Sequence, residues 1–437
     1  MRFSFPRILA LGAAFLAAAC GSPARLPVSA ETGVNPVIPR PKESVVPVIN
    51  VVSAKGWPDG ASPVAGDGLT VRPFATGLIH PRWLYVLPNG DVLVAETNAP
   101  KRPDDGKGIK GIFFRFYQAR AGQAVPSQNR IVLLRDTNGD GIADTRSVFL
   151  SGLYAPFGMT LVGDALYVAN SDAIVRFPYT TGVTNITAPG VKLVDLPDGR
   201  INHHWTKNVI ATPDGSKLYA SVGSNSNVME NGYLHEQNRA AIWEIDRVTG
   251  KHRVFASGLR NPVGLAWEPE SRALWVAVNE RDELGSDLVP DYITSVRDGG
   301  FYGWPFSYYG RHVDYRVEPQ RPALIERAIV PDYALGPHTA SLGLTWSAAK
   351  ALPPRFNGGM FVGQHGSWNR KPFSGYKVIF VPFANGKPNG QPIDVLTGFI
   401  RDNGEALGRP VGVAIDSAGA LLVADDVGNT IWRVTRR

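Results

Sequence analysis

The stretch Phe74–Glu96, FATGLIHPRWLYVLPNGDVLVAE, holds a loop rich in small and polar residues, then an apolar run, a Pro-Asn-Gly turn and a second apolar run. Two short runs of this kind around a glycine turn read as an antiparallel hairpin, and neither is long enough for a helix. The pattern recurs. Phe149-Leu-Ser-Gly152-Leu153 leads to Ala165–Asn170 and Ile174–Phe177; Asn202–Ile210 leads through Pro213-Asp-Gly215 to Leu218–Val222 and Ala241–Ile245; Phe255-Ala-Ser-Gly258-Leu259 leads to Gly264–Trp267 and Leu274–Val278. Less regular copies span Ser341–Val381 and Leu396–Val434. Six units of short strands at even spacing predict an all-β repeat fold, a six-bladed β-propeller. Each unit is longer than a minimal blade, so loops are inserted, the longest being Gly106 to Gln128 and Arg281 to Ile329, and ligands of such folds sit where loops converge over the channel.

Composition agrees. The chain has 437 residues, 44% apolar and 19% charged, with 47 glycines and 35 prolines, which suits a turn-rich β core and not a coiled coil or a disordered chain. A single cysteine rules out an internal disulfide framework and a cysteine-based zinc or iron–sulfur site. That residue, Cys20, follows Arg2, Arg7 and an apolar run from Ile8 to Ala19, in Leu16-Ala-Ala-Ala-Cys20-Gly21, so residues 1–19 read as a lipoprotein-type signal and Cys20 as the acylated residue. A plain cleaved signal is the alternative. Either way the chain is expected to be exported, and in the first case to sit on the periplasmic side of a bacterial membrane by its lipid. Residues 20–68, with eight prolines and no periodicity, read as a tether, leaving 69–437 as the propeller. The net charge of +7 comes without a lysine or arginine run, so nucleic acid is not an expected partner, while an anionic small ligand is.

Several chemistries lack their anchors: there is no Gly-x-Gly-x-x-Gly after a strand, no phosphate-binding Gly-Lys loop, no Gly-x-Ser-x-Gly, and His235-Glu236 has no second histidine of a zinc helix. Three features remain. In His203-His204-Trp205, entering a strand, adjacent side chains point to opposite faces, so one imidazole can face the channel as a base or serve the loop structurally. Arg260-Asn261, just before an apolar strand, can bind a carboxylate or quinone oxygen, or cap loop carbonyls. Asp136-Thr-Asn138-Gly-Asp140-Gly-Ile-Ala-Asp144 has the alternating oxygen donors of a calcium loop but Ser147 where a glutamate closes such loops; a plain Asp/Asn turn is the competing reading.

Taken together, His204 with Pro213-Asp-Gly215, Gly258-Leu-Arg-Asn-Pro-Val-Gly-Leu-Ala-Trp267, Asn279-Glu-Arg-Asp282, Gly300-Phe-Tyr-Gly-Trp-Pro305, Gln364-His-Gly-Ser-Trp-Asn-Arg370 and Arg409-Pro-Val-Gly412 resemble the glucose/sorbosone dehydrogenase family, notably its sorbosone dehydrogenase-like branch. The resemblance runs from about residue 70 to the end. It implies a soluble quinoprotein that uses pyrroloquinoline quinone (PQQ) and calcium to oxidise a sugar, a sugar aldehyde or a related polyol and passes electrons to a respiratory acceptor. It also implies roles: His204 as the base, Arg260 and Asn261 on the quinone oxygens, Arg409 near the cofactor carboxylates with Arg370 or Lys377 as a further cation, and the backbone carbonyls of Asp282 and Glu283 on calcium. The likeness fails at two points. Ser224 stands where glucose dehydrogenases have an aspartate orienting the base, and no stacking aromatic falls between Gly336 and His338, so glucose is not the expected substrate and His365 and Trp368 are candidates to line the pocket. The alternative function is a non-redox propeller, either a calcium-dependent lactonase-like hydrolase or a sugar-binding lipoprotein.

Overall fold

The computed structural model describes residues 21–44, 48–100, 120–122, 124–199, 201–347 and 350–437. The signal segment, Cys20 and much of the Gly106–Gln128 insertion lie outside them. Six antiparallel sheets, each built on four strands, follow one another along the chain. Their innermost strands are Pro81–Val86, Met159–Val162, Lys207–Ala211, Asn261–Trp267, Ser341–Ser347 and Pro410–Ile415, defining blades 1 to 6. Neighbouring inner strands pack side by side into a closed ring. The sixth blade takes its outermost strand from the start of the propeller: Leu69–Ala75 pairs with Thr430–Arg436, Leu69 opposite Arg436. That pairing closes the ring and leaves no open edge between first and last blades.

Close packing at the ring depends on missing side chains. A β-carbon at Gly264 would fall 2.6 Å from the Leu344 amide nitrogen of blade 5, and one at Gly412 would fall 2.8 Å from the Arg82 carbonyl of blade 1. The second strands, such as Val92–Glu96 and Leu421–Asp425, are buried throughout, which is why they read as unbroken apolar runs. Since every blade runs outward in four antiparallel strands, connections between blades and those between second and third strands collect on one face. His80, His204, Arg260 and Arg409 come from the first set of loops; Ser224, Asp282, His365 and Asp426 come from the second.

The Pro-rich segment is not a tether standing off the body. Thr32–Gly33 adds to the outer edge of blade 4, Ser53–Ala54 runs parallel to Glu405–Ala406, and Val64–Ala65 extends blade 5. Glu31, 4% exposed, receives both of its ion-pair contacts from Arg370 at 2.8 Å, and Trp57 packs edge-on against Phe399 and Trp432 and donates to Asp425 at 2.7 Å. Proline removes donors and holds the chain extended, a backbone suited to lying across loops as a strap. Its partners lie hundreds of residues away, so the sequence carries no local sign of them.

Candidate active site

His204 enters from the loop that leads into blade 3, and its Nδ1 lies 2.8 Å from the carbonyl oxygen of Ser224 and 3.0 Å from that residue's Oγ. A carbonyl only accepts, so Nδ1 carries the proton and Nε2 is the basic atom. Ser224 is itself fixed: its N–H donates to the Arg260 carbonyl at 2.7 Å and its hydroxyl donates to the Ser226 carbonyl at 2.7 Å. Gly223 lets the imidazole and the Asn261 carboxamide approach, since a β-carbon there would sit 2.5 Å from His204 Cβ and 2.6 Å from Asn261 Oδ1. That Oδ1 is buried and has no donor among the described residues. Beneath the loop, Lys207 is 0% exposed and donates to the carbonyls of His204 at 3.2 Å and Trp205 at 3.3 Å. Burial, reinforced by the nearby Arg239, holds its ammonium pKa well below the usual lysine range.

Arg260 lies at the mouth of blade 4. Its guanidinium donates to the Asn227, Asn279 and Glu280 carbonyls and approaches Asp282 at 3.6 Å. Asp282 in turn accepts from Asn369 at 2.8 Å and faces His338 Nδ1 at 3.4 Å, while His338 Nε2 lies 3.0 Å from the Gly285 carbonyl. Burial disfavours the His338 imidazolium, but the Asp282 carboxylate outweighs it and raises the pKa. On blade 6, Arg409 donates to the His365 and Gly366 carbonyls at 2.9 and 3.0 Å, has no carboxylate within ion-pair distance among the described residues, and crosses the Tyr376 ring. Asp426 joins the third cluster, accepting from Arg82 at 2.6 Å and from His365 at 2.8 Å. Burial and then the charge of Arg409 push His365 down to about 3, so it donates to Asp426 as a neutral ring. Burial opposes ionisation of Asp426, but His365, His80 and Arg82 hold its carboxyl well below the usual range.

His204, Arg260, Asn261 and Arg409 therefore share one face, as the motifs predict. Other expected residues are committed elsewhere. Arg370 spends its guanidinium on Glu31 and on the Ser286 carbonyl, because the strap supplies a buried carboxylate that the sequence reading did not pair with it. Lys377 pairs with Asp394 at 2.7 Å on the outer strands of blade 5. The Asp282 carbonyl accepts from Asn227 at 3.3 Å and Arg316 at 3.0 Å, so a cation on that oxygen would have to displace a guanidinium. In the Asp136–Asp144 loop the carboxylates turn onto the loop's own donors: Asp136 accepts from Gly139 and Gly141, Asp140 from Ile142, and Asp144 from Thr137. Among the described residues no group of three or more His, Cys, Asp or Glu side chains converges as a metal site.

Arg82, Asp426 and Lys207 escaped the sequence reading. Arg82 had a signal: His80-Pro81-Arg82 opens the inner strand of blade 1 as Arg260-Asn261-Pro262 and Arg409-Pro410 open those of blades 4 and 6. Superposing the repeats on their prolines sets His80, Asn261 and Arg409 at one position, with Arg82 one residue after the proline and Arg260 two before it, so each of these blades carries an arginine within two residues of that proline.

The family model described as TrAA12-like matches residues 63–292 and 325–437. A PQQ-dependent pyranose dehydrogenase of Coprinopsis cinerea is 24% identical over an alignment of 362 positions that covers 72% of this chain and 44% of that protein, less than half its length. The holo PQQ domain of the Coprinopsis cinerea pyranose dehydrogenase superposes with a TM-score of 0.69 at 19% identity, covering 88% of this chain and 100% of that one. A calcium structure of the Trichoderma reesei family AA12 carbohydrate-active enzyme superposes with a TM-score of 0.67 at 17% identity, covering 86% and 97%. These likenesses establish a shared propeller.

Proposed function

On the premise that the chain belongs to the TrAA12-like family, we propose that it is a PQQ-dependent dehydrogenase that oxidises a sugar, a sugar aldehyde or a related polyol. When bound, PQQ supplies the two-electron acceptor for the hydrogen leaving the substrate carbon. His204 Nε2 takes the hydroxyl proton. The observation that carries this reading is the Ser224 carbonyl on Nδ1, which fixes the tautomer a base requires without the carboxylate used by glucose dehydrogenases.

The residues fit a polycarboxylate quinone. Arg409 brings positive charge that no carboxylate within 4 Å neutralises among the described residues, Arg260 adds a guanidinium that only approaches Asp282 at 3.6 Å, and the buried Asn261 Oδ1 lacks a donor among the described residues, which a bound ligand can supply. Arg260 and the side-chain N–H of Asn261 are assigned to the quinone oxygens and Arg409 to the carboxylates. Calcium is assigned to the carbonyl oxygens of Asp282 and Glu283, and its binding requires the Asn227 and Arg316 side chains that donate to the Asp282 oxygen to move aside. The lactonase alternative requires converging carboxylates, and no such group forms among the described residues.

Electrons are proposed to pass on to a respiratory acceptor, from a chain anchored through an acylated Cys20 on the periplasmic side of a bacterial membrane. No helix among the described residues is long and apolar enough to cross a membrane. The test is dye reduction by the reconstituted chain with PQQ and calcium against sugars, sugar aldehydes and polyols. Saturable PQQ-dependent turnover supports the reading; folded protein that binds no PQQ at micromolar concentration overturns it.

A further inference from the structure

From the fixed start of the strap we infer that the loop face of blades 4 and 5, around Trp368 and Ile49, rests on an anionic lipid bilayer, an inference that depends on the lipid at Cys20. The chain is pinned from the first residues after that cysteine. Ser22 accepts from Ser286 Oγ at 2.8 Å, the Ala24 N–H donates to the Lys371 carbonyl at 2.7 Å, and the Arg25 N–H donates to Asp287 at 2.8 Å. Gly21 lines one cleft with Glu283, His338, Trp368 and Asn369. Consecutive Cα atoms are about 3.8 Å apart, so an acyl group on Cys20 leaves the protein within a side chain's reach of this cleft. No slack separates lipid from face.

The chemistry of the surface suits that contact. Trp368 is 41% exposed and Ile49 44% exposed, and the Asn50 N–H donates to the Trp368 carbonyl at 2.8 Å, so the two lie together beside the point where the lipid joins. An indole with one polar edge is at home at the headgroup level. Arg25, Arg40, Lys42 and Lys371 are exposed on the strap and the loop beneath it, against the carboxylates of Glu43 and Glu283. The excess is cationic and draws anionic headgroups. Because the attachment lies over blades 4 and 5 and not on the channel axis, the disc is tilted: the mouth that holds His204 and Arg409 faces the membrane while the side of blades 1 and 2 stays open to solvent.

The full chain, processed in a bacterial host and placed in nanodiscs containing phosphatidylglycerol, tests this with spin labels. Cys20 is the sole cysteine and acylation consumes its thiol, so one introduced cysteine gives one label. Ile49→Cys and Trp368→Cys report the proposed face; Asp164→Cys and Lys251→Cys report the opposite one, about 20 Å away by the length of a six-residue strand. The expected result is loss of collision with aqueous nickel, with oxygen contact kept, at positions 49 and 368 only. Full nickel access at 49 and 368 with lipid present on Cys20 overturns the orientation while leaving the anchor standing. Mass spectrometry showing an unmodified Cys20 overturns both.

Discussion

The imidazole of His204 is oriented by a main-chain oxygen: its Nδ1–H points at the Ser224 carbonyl, 2.8 Å away, at the residue where the sequence already showed serine in place of an orienting aspartate. A backbone acceptor cannot be removed by a side-chain substitution. Ser224→Ala is therefore expected to change kcat by less than about tenfold, whereas His204→Gln, which keeps the size but not the basicity, is expected to lose about 10²–10⁴-fold. Steady-state dye reduction with both variants reads the difference.

Arg409 carries a buried charge that no carboxylate in ion-pair reach neutralises among the described residues, and Lys377 carries a charge, partly exposed, that Asp394 already matches. Arg409→Ala is expected to weaken PQQ binding by about tenfold or more, the worth of a charged hydrogen bond. Lys377→Ala should leave it unchanged. Equilibrium titration of the cofactor into each variant checks both, and equal losses would contradict the assignment.

Glu31 and Arg370 form a buried pair between strap and blade 5, with Glu31 4% exposed. Removing one partner leaves the other charge buried, so Glu31→Ala is expected to cost about 3–5 kcal/mol of unfolding free energy. Glu31→Leu combined with Arg370→Met should recover part of that loss. Chemical denaturation of the chain beginning at residue 21 measures both.

Two buried carboxyls, Asp291 and Asp425, are each pushed up to about 6 by burial. Between roughly pH 4 and 6 the folded chain holds these protons while the unfolded chain has released them, so their contribution to stability falls as pH rises through that window and is level above it. Asp425→Asn abolishes that contribution. The difference in melting temperature, variant minus wild type, should therefore grow more positive from pH 4 to pH 6, whatever its sign at the start.

The propeller was legible because each blade repeats its own punctuation, an apolar run either side of a Pro/Asn/Asp-Gly turn, within a few tens of residues. What was not legible joins distant parts. Leu69 pairs with Arg436, and Glu31 with Arg370, and no local period encodes either contact. Arg370 was offered as a cofactor cation without its Glu31 partner because the segment that carries Glu31 was read as a tether. His204, Arg260 and Asn261 were singled out because they stand in extended motifs; Lys207 sits between Thr206 and Asn208, and Asp426 follows Asp425, so neither is set apart from its polar neighbours until the fold shows what it faces.

The most direct test of the account is the absorbance of bound PQQ after mixing the loaded chain with substrate in a single turnover, wild type beside His204→Gln. The account predicts equal cofactor binding by both, rapid reduction in the wild type and almost none in the variant. Reduction at the wild-type rate without the imidazole would contradict the role given to His204.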